Sequence, residues 1–277
     1  MWRSAPRRQR DVGVLALLML GAGATQAHAI SFHFSPANIT VQARPGQVVN
    51  RTFTLTLAKD TTSTHFQARV EDWWRSPDGS RTFYAAPGTI RRSCGLWCTI
   101  NPVEAAVQPG ETMTLRLSLR VPDDVQPGGY WAALTVDEVL DPLAPRPSGV
   151  AVVFKASVSV GILVEIPPAT RSARITGVRV TGDSVAVTMC NEGNIPLRVN
   201  GTFEFYAPGQ EKPAATVQIG GEPLLPEPLG TCEFSGALPS SNQLPSGHYK
   251  VRVIVDVGLD HLLGAEKELE IVRSEGS

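Results

Sequence analysis

Apolar and polar residues alternate along most of this chain, and the alternation has a period of two. "RTFTLTLAKD" puts Phe53, Leu55 and Leu57 on one side and threonines on the other. "TMTLRLSLRVP" does the same with Met113, Leu115, Leu117 and Leu119, and "YKVRVIVDV" with Val251, Val253 and Val255. Successive strand side chains point to opposite faces, so each run predicts a strand with one face to bury. Turn residues recur every eight to twelve positions and helical periodicity is almost absent, which predicts an all-β sandwich.

One start-of-strand is written twice. "LSLRVPDDVQPGGYWAALTV" and "SGALPSSNQLPSGHYKVRVIV" each end a strand in Val-Pro or Leu-Pro, turn, and enter the next strand through Pro, a small residue, Gly and Tyr. Tyr130 and Tyr249 stand about one immunoglobulin-like domain apart. A Tyr at that corner can return its hydroxyl to the preceding turn. The repeat predicts two tandem immunoglobulin-like β-sandwiches, over 30–168 and 172–273, divided at "EIPPATRSARI", where Pro167-Pro168 cannot continue a ladder.

Residues 1–29 read as a signal peptide: a basic start, the apolar run "VGVLALLMLGAGA", and the small-x-small site "AHA", with cleavage after Ala29. The expected location is the periplasm or cell envelope. The remaining chain carries 21 Lys and Arg against 25 Asp and Glu, about −4, with no basic cluster. That excludes nucleic acid as a partner class. No later run is long and apolar enough to span a bilayer as a helix, so no membrane insertion is expected after cleavage.

Cys94, Cys98, Cys190 and Cys232 all follow the signal segment, and an even count in an oxidising compartment predicts disulfides. Three pairings are possible; proximity favours Cys94–Cys98 and Cys190–Cys232, the second clamping two strands of one sandwich. No metal site is expected, because His33, His65, His248 and His261 have no ligand spacing. No nucleophile, phosphate-loop or dinucleotide motif occurs, and Glu71 and Asp72, being adjacent on a strand, point apart. The chain reads as a non-enzyme without a cofactor.

Two stretches suggest binding. Trp73, Trp74 and Tyr84 beside the turn "SPDGSRTFY" form a candidate aromatic patch for glycan, as the alternative reading. "GVAVVFKASVSVGILVEIPP" carries Val158, Val160, Ile162 and Val164 as one apolar stripe. At a sheet edge such a strand is a template for a foreign strand along 150–166.

The order of motifs over about 30–168 resembles the PapD-like periplasmic pilus-assembly chaperones. They are "SFHFSPANITVQARPGQ", "RTFTLTLAKDTTSTHFQARVEDW", "WCTINPVEAAVQPGETMTLRLSL", "VPDDVQPGGYWAALTV" and the long apolar strand before a proline hinge. The resemblance implies a chaperone for pilin-like secreted subunits, with Val158, Val160, Ile162 and Val164 as strand donors. It also implies an Arg on the first strand and a Lys on the donor strand, holding the subunit's terminal carboxylate. The chain departs from that pattern: the first strand has neither Arg nor Lys, the position near the hinge is Ile162 or Leu163, and the nearby lysine is Lys155.

Overall fold

The alternating runs become strands because a side chain on every second position can be buried while its neighbours stay wet. The structure is a computed structural model that describes residues 30–140, 155–226 and 230–273. Its first ten strands are β1 (Phe32–Ser35), β2 (Asn38–Gln42), β3 (Val48–Leu57), β4 (Thr64–Arg75), β5 (Arg81–Tyr84), β6 (Cys98–Asn101), β7 (Glu104–Val107), β8 (Thr112–Arg120), β9 (Gly128–Val139) and β10 (Ser157–Ile166). Seven follow: β11 (Ala173–Thr181), β12 (Ser184–Asn191), β13 (Leu197–Tyr206), β14 (Ala215–Leu224), β15 (Thr231–Ala237), β16 (Gly247–Asp256) and β17 (Leu263–Ile271). Among the described residues the only helical element is a single 3₁₀ turn, Gly95–Trp97. No described helix is long and apolar enough to cross a membrane. The expected signal segment 1–29 and residues 150–154 of the expected partner strand lie outside the described residues.

The fold is all-β, two tandem immunoglobulin-like sandwiches. In the first, a sheet ordered β1-β3-β8-β6 faces one ordered β2-β10-β9-β4-β5, with β7 also on β4. Between them lie Phe53, Leu55 and Leu57 of β3 and Leu115, Leu117 and Leu119 of β8, opposite Leu134 and Val136 of β9. Each such side chain, fully buried, contributes about 1.5–3 kcal/mol. The second sandwich packs β11-β12-β15 against β14-β13-β16-β17. Val185, Val187 and Met189 meet Phe203, Phe205, Val251, Val253 and Val255 there.

The two sandwiches differ at their margins. In the second, the Lys267 ammonium of β17 donates to the Val178 carbonyl of β11 at 3.0 Å, tying one sheet's margin to the other's. In the first, the N-terminal segment changes sheets: β1 pairs antiparallel with β3, and β2, just beyond Pro36, runs parallel to β10.

The repeated start-of-strand is a repeated corner. The Tyr130 hydroxyl donates to the Gln126 carbonyl at 3.0 Å, and the Tyr249 hydroxyl to the Pro245 carbonyl at 3.1 Å. Both rings are buried, so each bond holds a turn to the sheet beneath it. Tyr130→Phe and Tyr249→Phe should each cost about 1 kcal/mol, the net worth of one such bond. Chemical denaturation of each variant checks this, and a change within error at both sites would remove the corners' role.

Candidate functional site

Strand β10 is hydrogen-bonded to β9 along its whole length, Ser157–Ile166. On its other side β2 covers Gly161–Glu165 and stops, because the chain turns at Pro36 toward β1. Among the described residues, Ser157–Val160 therefore has one unpaired backbone margin. Strand β1, last in its own sheet, has another. The two margins bound a seam in the first sandwich. Phe32, Phe34 and Val158, all half-buried, reach the core from these two strands. Phe32 meets Phe66 edge-on at 5.4 Å, and Phe34 stacks on Phe53 at 5.7 Å.

This arrangement corrects the expected donor stripe. Val160, Ile162 and Val164 are buried in their own core, Ile162 and Val164 with no exposed surface, and cannot enter a partner. Their period-two apolarity serves the sandwich that contains them. Only Val158 remains partly open. Lys155 is half exposed and lies 3.8 Å from Asp137.

The outer face of the same sheet is partly polar. Glu71 accepts from the Thr135 hydroxyl and from Arg69, the latter at 3.2 Å. The Ser159 hydroxyl donates in turn to Thr135 at 2.7 Å. Asp72 points the other way, as strand alternation requires. It accepts from the Ile90 amide at 3.0 Å and from the Ser93 hydroxyl, fixing the loop that leads to Cys94. Both carboxylates are buried and fully occupied with structure.

Alternation also breaks up the expected aromatic patch. Trp73 pairs with Phe83 across the β4–β5 hairpin, whereas Tyr84 sits opposite Asp72 and thus shares its face with Trp74. Trp73 is 5% exposed, its indole donating to the Ala132 carbonyl. Trp74 leans on Trp131 at 5.9 Å. Trp73, Trp74 and Tyr84 form no common platform for a sugar.

The β4–β5 hairpin reaches the second sandwich through Arg75, which the sequence reading overlooked. This buried guanidinium donates to the carbonyls of Pro223 at 3.1 Å, Glu233 at 3.4 Å and Gly79 at 3.2 Å, and lies 4.4 Å over the Phe234 ring. Burial pushes its pKa below the ordinary arginine value. Arg81 pairs with Glu222, and the Arg198 guanidinium donates to the Asn38 side chain. Arg171 reaches back across the hinge to both oxygens of Glu165, at 2.9 and 2.7 Å. The Gly129 amide donates to the Asn194 carbonyl at 2.7 Å. A Cβ at Gly129 would fall 2.1 Å from Pro196 Cδ, so only glycine allows that approach.

All four cysteines are free thiols. The expected Cys190–Cys232 clamp is corrected by register: Met189 lies opposite Cys232 and Cys190 opposite Thr231. The two thiols are on neighbouring strands but opposite faces, and no disulfide can pass through a sheet. Cys94 and Cys98 flank the 3₁₀ turn, the Cys98 thiol donating to the Cys94 carbonyl at 3.3 Å. Burial pushes the Cys94 thiol well above its ordinary value, with the Cys98 thiol and the Asp72 charge adding to it. Burial raises Cys232 as well, against the nearby Arg75 charge. With folded values above unfolded ones, this stabilisation is complete below the unfolded thiol value, about 8.5, and is lost as pH climbs beyond it. Under reducing conditions, denaturant midpoints should fall from about pH 8.5 upward, and Cys94→Ala should flatten that fall.

His33, His65, His248 and His261 are all exposed, and no group of three or more His, Cys, Asp or Glu among the described residues could hold a metal.

No family model and no curated protein matches the chain. Solved structures do. The Pseudomonas aeruginosa CupB2 chaperone is 12% identical, with 86% of this chain and 100% of that one covered at a TM-score of 0.45. The E. coli chaperone DraB is 15% identical, with 88% and 98% covered at 0.42. A chain of the Salmonella enterica SafA pilin complex with the SafB chaperone is 14% identical, with 86% and 96% covered at 0.44.

Proposed function

We propose that the protein is an exported, non-enzymatic binding module of the periplasm or envelope that captures another polypeptide by adding its strand at the seam between β1 and β10. The partner class follows from the sequence resemblance: a secreted, pilin-like subunit. The two units are 30–168, which carries the seam, and 172–273, which is docked behind it.

The observation that carries this reading is the margin of Ser157–Val160 that no described strand pairs, beside the side of β1 that is likewise free among the described residues. Unpaired strand N–H and C=O groups bind an extended segment through backbone bonds, and nearby apolar side chains select its sequence. The half-buried Phe32, Phe34 and Val158 are the selecting side chains.

The test is to tag the protein, recover its complex from the envelope of its host, and compare amide exchange with and without the partner. Protection should rise in Phe32–Ser35 and Ser157–Val160, and Val158→Asp should weaken capture while the chain stays folded. Protection confined to β5 or to the second sandwich would overturn the reading.

Export also oxidises. We expect one Cys94–Cys98 bond in protein purified from the envelope, with Cys190 and Cys232 left as thiols. Thiol titration in denaturant checks it: two groups should react before reduction and four after.

A further inference from the structure

The 3₁₀ turn between Cys94 and Cys98 lines a groove of the first sandwich, together with the end of β8 and the turn that follows it. Main-chain bonds hold the turn in place: the Cys94 amide donates to the Trp131 carbonyl at 3.2 Å, and the Trp97 amide to the Cys94 carbonyl at 3.0 Å. Two large apolar side chains are thereby kept in water. Leu96 is 73% exposed, and Trp97, leaning on the Tyr130 ring at 4.6 Å, is only half-buried. The same groove is lined by Thr99, Arg120 and Asp123, all exposed. The Asp123 carboxylate lies over bare backbone at Gly46, where φ is +75° and a Cβ would fall 2.5 Å from Oδ1. Among the described residues, Arg120 and Asp123 pair neither with each other nor with any other charge. The groove thus joins an open indole to two unmatched charges of opposite sign.

We propose that this groove seats one neutral pyranose ring at the end of a glycan chain. Neutrality follows from the lining: an anion would gain from Arg120 and lose to Asp123, and a cation the reverse. An uncharged ligand satisfies both only if it accepts and donates at neighbouring atoms. A guanidinium is donor only and a carboxylate acceptor only, whereas a hydroxyl is both. A vicinal diol therefore bridges them, one hydroxyl accepting from Arg120 and the next donating to Asp123, with hydrogen bonds of the stronger, charge-assisted kind. The C–H face of the ring covers Leu96 and the open part of the Trp97 indole, which accounts for their being held in water. Size agrees. The groove measures about 330 Å³, near the lower end for ligand sites, and opens to solvent, so one ring is seated and the rest of the chain runs outward. It shares no residue with the strand-addition seam or with Trp73, Trp74 and Tyr84, and does not depend on the seam reading.

The test uses the full chain, with methyl β-glucoside, methyl β-galactoside, methyl α-mannoside and N-acetylglucosamine as probes. Sorbitol, which has the hydroxyls without the ring, and glycine betaine, a zwitterion, are the controls. At least one sugar should bind saturably with a Kd on the order of 1 mM, receive saturation transfer at its ring C–H protons and shift tryptophan emission. Neither control should do so. Asp123→Ala and Arg120→Ala, both at exposed positions, should each weaken binding at least about tenfold, with no change in thermal unfolding. Trp97→Leu should abolish binding, and Trp74→Phe should leave it unchanged. If Trp97→Leu does not fold, the two charge variants decide alone. Failure of all four sugars to bind, equal binding of sorbitol, preference for betaine, or indifference to both charge variants would each overturn the proposal.

Discussion

Ile162→Asp should unfold the first sandwich. Ile162 has no exposed surface and sits among residues from both sheets, so the variant buries a carboxylate with no partner and loses a packed side chain. The cost is on the order of 5 kcal/mol, comparable with the whole stability of many domains. Val160→Asp, at 3% exposure, should behave alike. Circular dichroism and thermal unfolding will show the loss directly. The comparison that matters is Val158→Asp, two residues away and half-buried, which should stay folded. An Ile162→Asp protein that kept its native unfolding curve and lost only its partner would mean that the stripe faces outward after all.

Arg75→Ala should loosen one sandwich from the other. Three carbonyls, two of them on the second sandwich, would lose their donor, and Phe234 would lose the cation above it. Together these are worth about 3 kcal/mol. A thermal transition shared by both halves should split in two, with the amides around Pro223 and Glu233 exchanging faster. Arg75→Lys should not restore coupling, since one ammonium cannot span carbonyls that a guanidinium fork reaches together while stacking on a ring. A single, unsplit transition in Arg75→Ala would place the docking energy elsewhere, in Arg81–Glu222 or the Gly129–Asn194 bond.

Much of the architecture was legible because alternation is a local property. Phe53, Leu55 and Leu57 announced both a strand and its buried face, and the repeated Pro-x-Gly before Tyr130 and Tyr249 announced two corners. Pairing is not local. Nothing in "NITVQ" says that it runs parallel to β10 and covers half of it, yet that pairing decides how much of β10 is open. The cysteines show the same limit more sharply: Cys190 and Cys232 do lie on adjacent strands, but a register offset of one residue sends their thiols to opposite faces. Trp73 and Trp74 were a different case, because adjacency on a strand already placed them apart. Arg75 could be seen to share a face with Trp73. Its partners are main-chain carbonyls far along the chain, and carbonyls leave no trace in a sequence.

The unequal margins of the two sandwiches bear on how the protein behaves in a concentrated solution. Bare strand margins also recruit copies of themselves, and chains that carry them tend toward fibrils and precipitates. Here that hazard belongs to the first sandwich, whose seam leaves, among the described residues, one side of Ser157–Val160 and one side of β1 without a neighbour, and not to the side of the second that Lys267 ties shut. Storage without an occupant at the seam should therefore shorten the useful life of a purified sample, and loss should begin in the N-terminal half.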